Sequence, residues 1–145
     1  LVVNRLNGYQ TKIVQPNHRY EIDGIIFETV PAYNTRRTKL GIKLHPQSKE
    51  FVGYVLHIDG KKIYHPGDTE VIPELLKLTD LDLAMVPIDE EKSIFTMSTQ
   101  EAILFINQIK PKAVVPIHYS PGKGHEEEFR NGIDAGIEVL SFGVE

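Results

Sequence analysis

Lys62-Ile63-Tyr64-His65-Pro66-Gly67-Asp68-Thr69 is the stretch whose reading decides the fold of this chain. An apolar, β-prone run enters a Pro-Gly turn and emerges on an acid, which is how a strand delivers a carboxylate to its end. Gly67 lets the backbone turn sharply and lets another group approach closely. Further along, Lys112-Ala113-Val114-Val115-Pro116-Ile117-His118-Tyr119 repeats the design with a histidine at the tip. Taken singly, each residue has an ordinary reading. Asp68 or Thr69 would cap a following helix, and His118 would be a hydrogen-bonded core histidine. Taken together, they put at two strand ends the side chains that borderline and hard metals prefer.

Working outward, the β-branched and aromatic runs predict hairpins in the first half. Thr11 to Val14 and His18 to Ile22 read as short strands around a Pro16-Asn17 turn, and Asp23-Gly24 leads into a strand over Ile25 to Val30. Phe51 to Ile58 and Lys61 to Tyr64 pair across Asp59-Gly60, which aims Asp68 outward. The segment from Pro31 to Lys49 is irregular and long, and long loops in compact domains are usually functional. Glu70 to Leu78 reads as a short helix with Pro73 in its first turn. Leu81 to Pro87 and Lys112 to Ile117 are apolar strands of the buried kind. Between them Ser98-Thr99-Gln100-Glu101 has capping-box spacing, and Ala102, Phe105, Ile106 and Ile109 share one helix face. His125 to Asp134 reads as a polar helix and Ile137 to Phe142 as a last strand. Strand and helix thus alternate through the second half, with helices covering one face of the sheet.

The totals narrow the classes. The chain has 145 residues, 41% hydrophobic and 25% charged, with a net charge of −4, which suits one globular domain and argues against a nucleic-acid partner. No apolar run approaches the ~20 residues of a membrane span, and no signal-peptide pattern opens the chain, so cytoplasm is the expected compartment. Without cysteine, a zinc site would be built from His, Asp or Glu. No Gly-x-Ser-x-Gly elbow, Walker loop or Rossmann fingerprint is present.

Four blocks in order carry a resemblance: Ile63 to Thr69, Leu83 to Ile88, Phe95-Thr96-Met97 with Glu101-Ala102, and Pro111 to Tyr119. In these the chain resembles the metallo-β-lactamase superfamily, in the branch of small hydrolases similar to ascorbate-phosphate lactonases and N-acyl phosphatidylethanolamine phospholipase D. The likeness runs from about Val2 to the end. It implies an α/β fold, a four-layer αββα sandwich of which residues 1–145 are the C-terminal part of a single domain, lacking the N-terminal strands. It also implies one or two ions, zinc or another divalent metal, with Asp68 as bridging carboxylate and His118 as a histidine ligand. A metal-bound hydroxide would then attack an ester, lactone or phosphodiester.

The chain departs from that pattern in two places. The family's His-x-His-x-Asp-His cluster does not occur in it, so some ligands would come from residues outside these 145 or from another copy, and a homo-oligomer is one expectation. The strand ending at Tyr33 should also deliver a histidine, and Asn34 stands there, an oxygen donor for a harder ion. His45 on the same loop is either a substitute ligand, a substrate contact or an ordinary loop histidine. His65 is either a partner that orients Asp68 or an inert packed side chain. Arg36 and Arg37 either lie on a solvated surface or hold a small anionic substrate. The competing reading is a non-catalytic binding or assembly module of the same fold.

Overall fold

The structure, a computed structural model, describes residues 8, 10–36, 38–90 and 93–141. Its frame is a single sheet of seven strands in chain order. Strands β1 (Arg19–Ile22), β2 (Ile25–Pro31), β3 (Val52–Ile58) and β4 (Lys61–His65) form an antiparallel meander. Strands β5 (Leu83–Pro87), β6 (Ala113–Ile117) and β7 (Glu138–Val139) continue from β4 in parallel. The change from one pattern to the other follows from the connections. Asp23-Gly24 and Asp59-Gly60 have both residues at positive φ, as the tight I′ hairpin turn requires. Beyond β4, helices α1 (Thr99–Ile109) and α2 (His125–Gly132) supply the crossovers that parallel strands need.

Consecutive right-handed crossovers advancing in one direction put both helices on one face. On that face Val55, Tyr64, Ala84 and Val114 stand opposite one another across four strands and are at most 1% exposed. Ala102, Phe105, Ile106 and Ile109 of α1 lie in the same core, with the Phe105 ring edge-on to Tyr64 at 6.5 Å. The capping box forms as the sequence predicts: Glu101 N–H donates to Ser98 Oγ, and Glu101 Oε2 accepts from Ser98 N–H at 2.9 Å. The opposite face carries Phe27, Leu56, Ile63 and Leu83 in a register row, all part-exposed. Of the four layers expected, the described residues therefore make two, a sheet and its helices.

Three expected elements differ. Residues 11–15 form no strand. The helix expected over Glu70 to Leu78 shrinks to a single 3-10 turn, Leu75–Lys77, because Glu70 turns inward as an acceptor for a neighbouring loop. The last strand is short, Glu138–Val139, and Phe142 lies outside the described residues, as do Leu1 to Leu6. No described helix is long and apolar enough to cross a membrane.

Candidate metal centre

Strand direction gathers the site. Since β2 is antiparallel to β3 and β3 to β4, β2 runs with β4, and β5 and β6 run the same way. The C-terminal ends of β2, β4, β5 and β6 therefore share one edge, the usual place for a ligand in such sheets. Asn34 follows β2, Asp68 follows β4, and His118 follows β6.

The turn that carries Asp68 is pressed against β3. A Cβ on Gly53 would stand 2.6 Å from the Pro66 carbonyl oxygen and 2.8 Å from that of His65, so only glycine lets the two segments meet. Gly67, at φ +66, then reverses the chain. Thr69, fully buried, does not cap a helix: its hydroxyl accepts the Tyr33 N–H at 3.1 Å, and the Glu70 N–H donates to Tyr33 O at 3.2 Å. Glu70, also fully buried, accepts from the Thr35 N–H (3.0 Å), the Thr35 hydroxyl (2.6 Å) and the Arg36 N–H (3.1 Å). The loop after β2 is thereby stitched to the turn after β4.

On this frame Asp68 stands between two imidazoles. Its Oδ2 is 3.7 Å from His45 Nε2 and its Oδ1 is 3.9 Å from His118 Nε2. Both separations are too long for hydrogen bonds. Two donors each ~2.1 Å from one ion can stand at most ~4.2 Å apart, and both pairs fall within that limit. The donor types and their spacing fit a divalent metal. The set is incomplete, however: among the described residues no group of three His, Asp or Glu could hold an ion by itself. His118 has φ +58, a left-handed backbone that a histidine adopts more readily than most residues, and its side chain is 44% exposed.

Several expectations change. Asn34 is 1% exposed and both ends of its amide are engaged, Oδ1 with His45 Nδ1 at 3.0 Å and Nδ2 with the Phe95 carbonyl at 3.0 Å. Its oxygen faces an imidazole, so Asn34 is not placed as an open donor. His45, read from sequence as ligand, contact or loop residue, is brought beside Asp68. His65 is exposed and its Nδ1 accepts from the Gly67 N–H at 3.2 Å, so it steadies the turn rather than the Asp68 carboxylate. The Arg36 guanidinium pairs with Glu101 and lies 3.9 Å from Glu70, with its side chain still 70% exposed. Arg37 lies outside the described residues.

Glu70 was missed by sequence reasoning, since an acid opening an expected helix reads as a favourable end charge. A cavity of about 470 Å³ opens beside the residue after His118, lined by Tyr119, Ser120, His125, Glu126 and Arg130 among others; Asp68 and His118 do not line it. The Tyr119 hydroxyl donates to Glu126 at 2.7 Å, and that bond, with partial burial, pushes its phenol pKa up.

The resemblance to the metallo-β-lactamase superfamily implies a carboxylate and a histidine at strand ends, and Asp68 and His118 stand on this edge. The chain matches the beta-lactamase superfamily domain over residues 2–119 and belongs to that family. A metal-dependent hydrolase of Thermococcus onnurineus is 36% identical over 128 residues, covering 83% of this chain and 53% of its own length. Another from Pelotomaculum thermopropionicum is 31% identical, with 83% and 56% covered. The chain thus spans about half the length of the curated relatives it matches. Among solved structures, a candidate metal-dependent hydrolase of Parabacteroides distasonis superposes with a TM-score of 0.76 at 30% identity, over 94% of this chain and 59% of that one. The metallo hydrolase Igni18 of Ignicoccus hospitalis gives 0.68 at 22% identity, over 97% and 61%, and shows the fold alone.

Proposed function

We propose that the chain carries one wall of the metal site of a hydrolase acting on an ester, lactone or phosphodiester. The observation that carries this reading is the Asp68 carboxylate, each of whose oxygens has a different imidazole beside it. Asp68 would bridge, with His45 and His118 as nitrogen donors on either side. Their mixture of imidazole and carboxylate suits zinc. Zinc takes three or four protein ligands, so the remaining donors would come from outside the described residues or from a second copy. A bound divalent ion supplies a water of near-neutral pKa and polarises the scissile oxygen. The protein's own part is to hold the carboxylate and both imidazoles on the strand ends, and to seat a small substrate near the cavity beside Tyr119. The net charge of −4 counts against a nucleic-acid substrate. A cytoplasmic setting fits a cysteine-free chain.

The test is metal analysis of the full encoded protein beside its Asp68→Ala variant. We expect one or two equivalents of divalent metal, lost in the variant together with hydrolysis of ester, lactone and phosphodiester probes. A metal-free full protein rejects the enzyme and leaves the binding or assembly module, the reading favoured by the absence of a three-ligand cluster among the described residues.

A further inference from the structure

We infer that Asn34 is a positioning residue that fixes the tautomer of His45 and aims its Nε2 at Asp68. The inference rests on the proposed metal site for its purpose, though not for its geometry.

The argument starts at the far end of the amide. Its Nδ2 faces the Phe95 carbonyl at 3.0 Å, and a carbonyl can only accept. That fixes the nitrogen there and leaves Oδ1 facing His45 Nδ1, also at 3.0 Å. An amide oxygen can only accept in turn, so the neutral imidazole must carry its proton on Nδ1. Nε2 is then left as a lone pair directed toward Asp68 Oδ2, 3.7 Å away. Two acceptors face each other across that gap, which is unfavourable until a cation lies between them.

The rest of the loop keeps the acceptor in place. Asn34 N–H donates to the His45 carbonyl at 2.7 Å, joining the two residues a second time. Buried Thr69 and Glu70 hold Tyr33, Thr35 and Arg36 on either side of Asn34. Phe51 lies edge-on to the His45 ring at 5.7 Å and 77°, limiting its rotation. Asn supplies donor and acceptor at once while remaining neutral. An Asp could keep the acceptor toward His45 but would set a carboxylate oxygen against the Phe95 carbonyl, two acceptors without a proton between them. The neutral amide therefore does what a backbone carbonyl or carboxylate commonly does behind a metal-binding histidine.

Imidazole nitrogen NMR on the metal-free, full encoded protein, at a pH where His45 is neutral, reads the tautomer directly. The expected result is the Nδ1–H form at His45, with Asn34→Ala releasing it to a mixture and Asn34→Asp retaining it. Zinc titration against a chelator should then show ~10–100-fold weaker binding in Asn34→Ala and a smaller loss in Asn34→Asp. An Nε2–H tautomer in the wild type overturns the inference, as does an unchanged tautomer in a folded Asn34→Ala. The wild-type spectrum decides the matter even if a variant fails to fold. A locked Nδ1–H tautomer in a protein that takes up no divalent metal instead overturns the metal reading and leaves the positioning intact.

Discussion

The two halves of the sheet hold their share of the site in different ways. On the antiparallel side, Asp68, Asn34 and His45 belong to loops cross-linked by buried polar side chains, with Thr69 and Glu70 fully buried and Asn34 nearly so. On the parallel side, His118 projects from the end of β6 with a left-handed backbone and a half-exposed ring. Long irregular loops need internal acceptors to be rigid, because they have no ladder. A strand end is rigid already, since its neighbours and a helix-covered face fix it. One wall is therefore made by hydrogen bonds and the other by topology.

The sharpest way to break that contrast is to remove the acceptor. Glu70→Ala takes the shared acceptor from the Thr35 N–H, the Thr35 hydroxyl and the Arg36 N–H, and bonds to a carboxylate are worth ~1.5–3 kcal/mol each. A loss of at least ~3 kcal/mol in denaturant unfolding is expected. His118→Gly should instead leave stability unchanged or raise it by up to ~1 kcal/mol, because glycine accepts positive φ freely. A stability loss at position 118 equal to that at position 70 would sink the distinction. Next comes Gly53→Ala, whose methyl would press into the Pro66 and His65 carbonyls. Overpacking of this kind costs ~1–3 kcal/mol, and the displaced turn should shift the NMR signals of Asp68 more than those of His118.

The smallest effect lies at the opposite edge of the sheet, away from the site. There the Lys112 ammonium donates to Asp82 Oδ1 at 2.7 Å and the Lys62 N–H to Oδ2 at 2.9 Å. Chiefly through the Lys112 bond, the Asp82 carboxyl is held at about 2, below its ordinary 3.8. The folded pKa is the lower one, so the contribution to stability is complete above the unfolded value and lost as pH falls through about 2. A carboxyl NMR titration should find that midpoint, and Lys112→Met should raise it.

The contrast also governs what the sequence disclosed. Local rules found the hairpins at Asp23-Gly24 and Asp59-Gly60, the capping box at Ser98, and both strand-end residues, because each is written within a few consecutive positions. His45 was weighed as a substitute for Asn34 and not as its hydrogen-bond partner, since nothing local says that a loop will fold back to join them. Asn34 was read as an oxygen ligand from its position alone, when both ends of its amide are used. Glu70 was assigned to a helix because its inward turn depends on Thr35, far back in the chain. What escaped is the long-range polar stitching, which has no period and no fixed spacing.

The backbone at His118 has a further consequence for which substitutions a lineage can explore. A left-handed conformation at the end of β6 admits Gly, Asn, Asp and His with least penalty and resists β-branched residues. Of those four, only histidine brings an imidazole nitrogen. Position 118 is thus screened twice, first by folding and then by chemistry, and the two screens overlap at one amino acid.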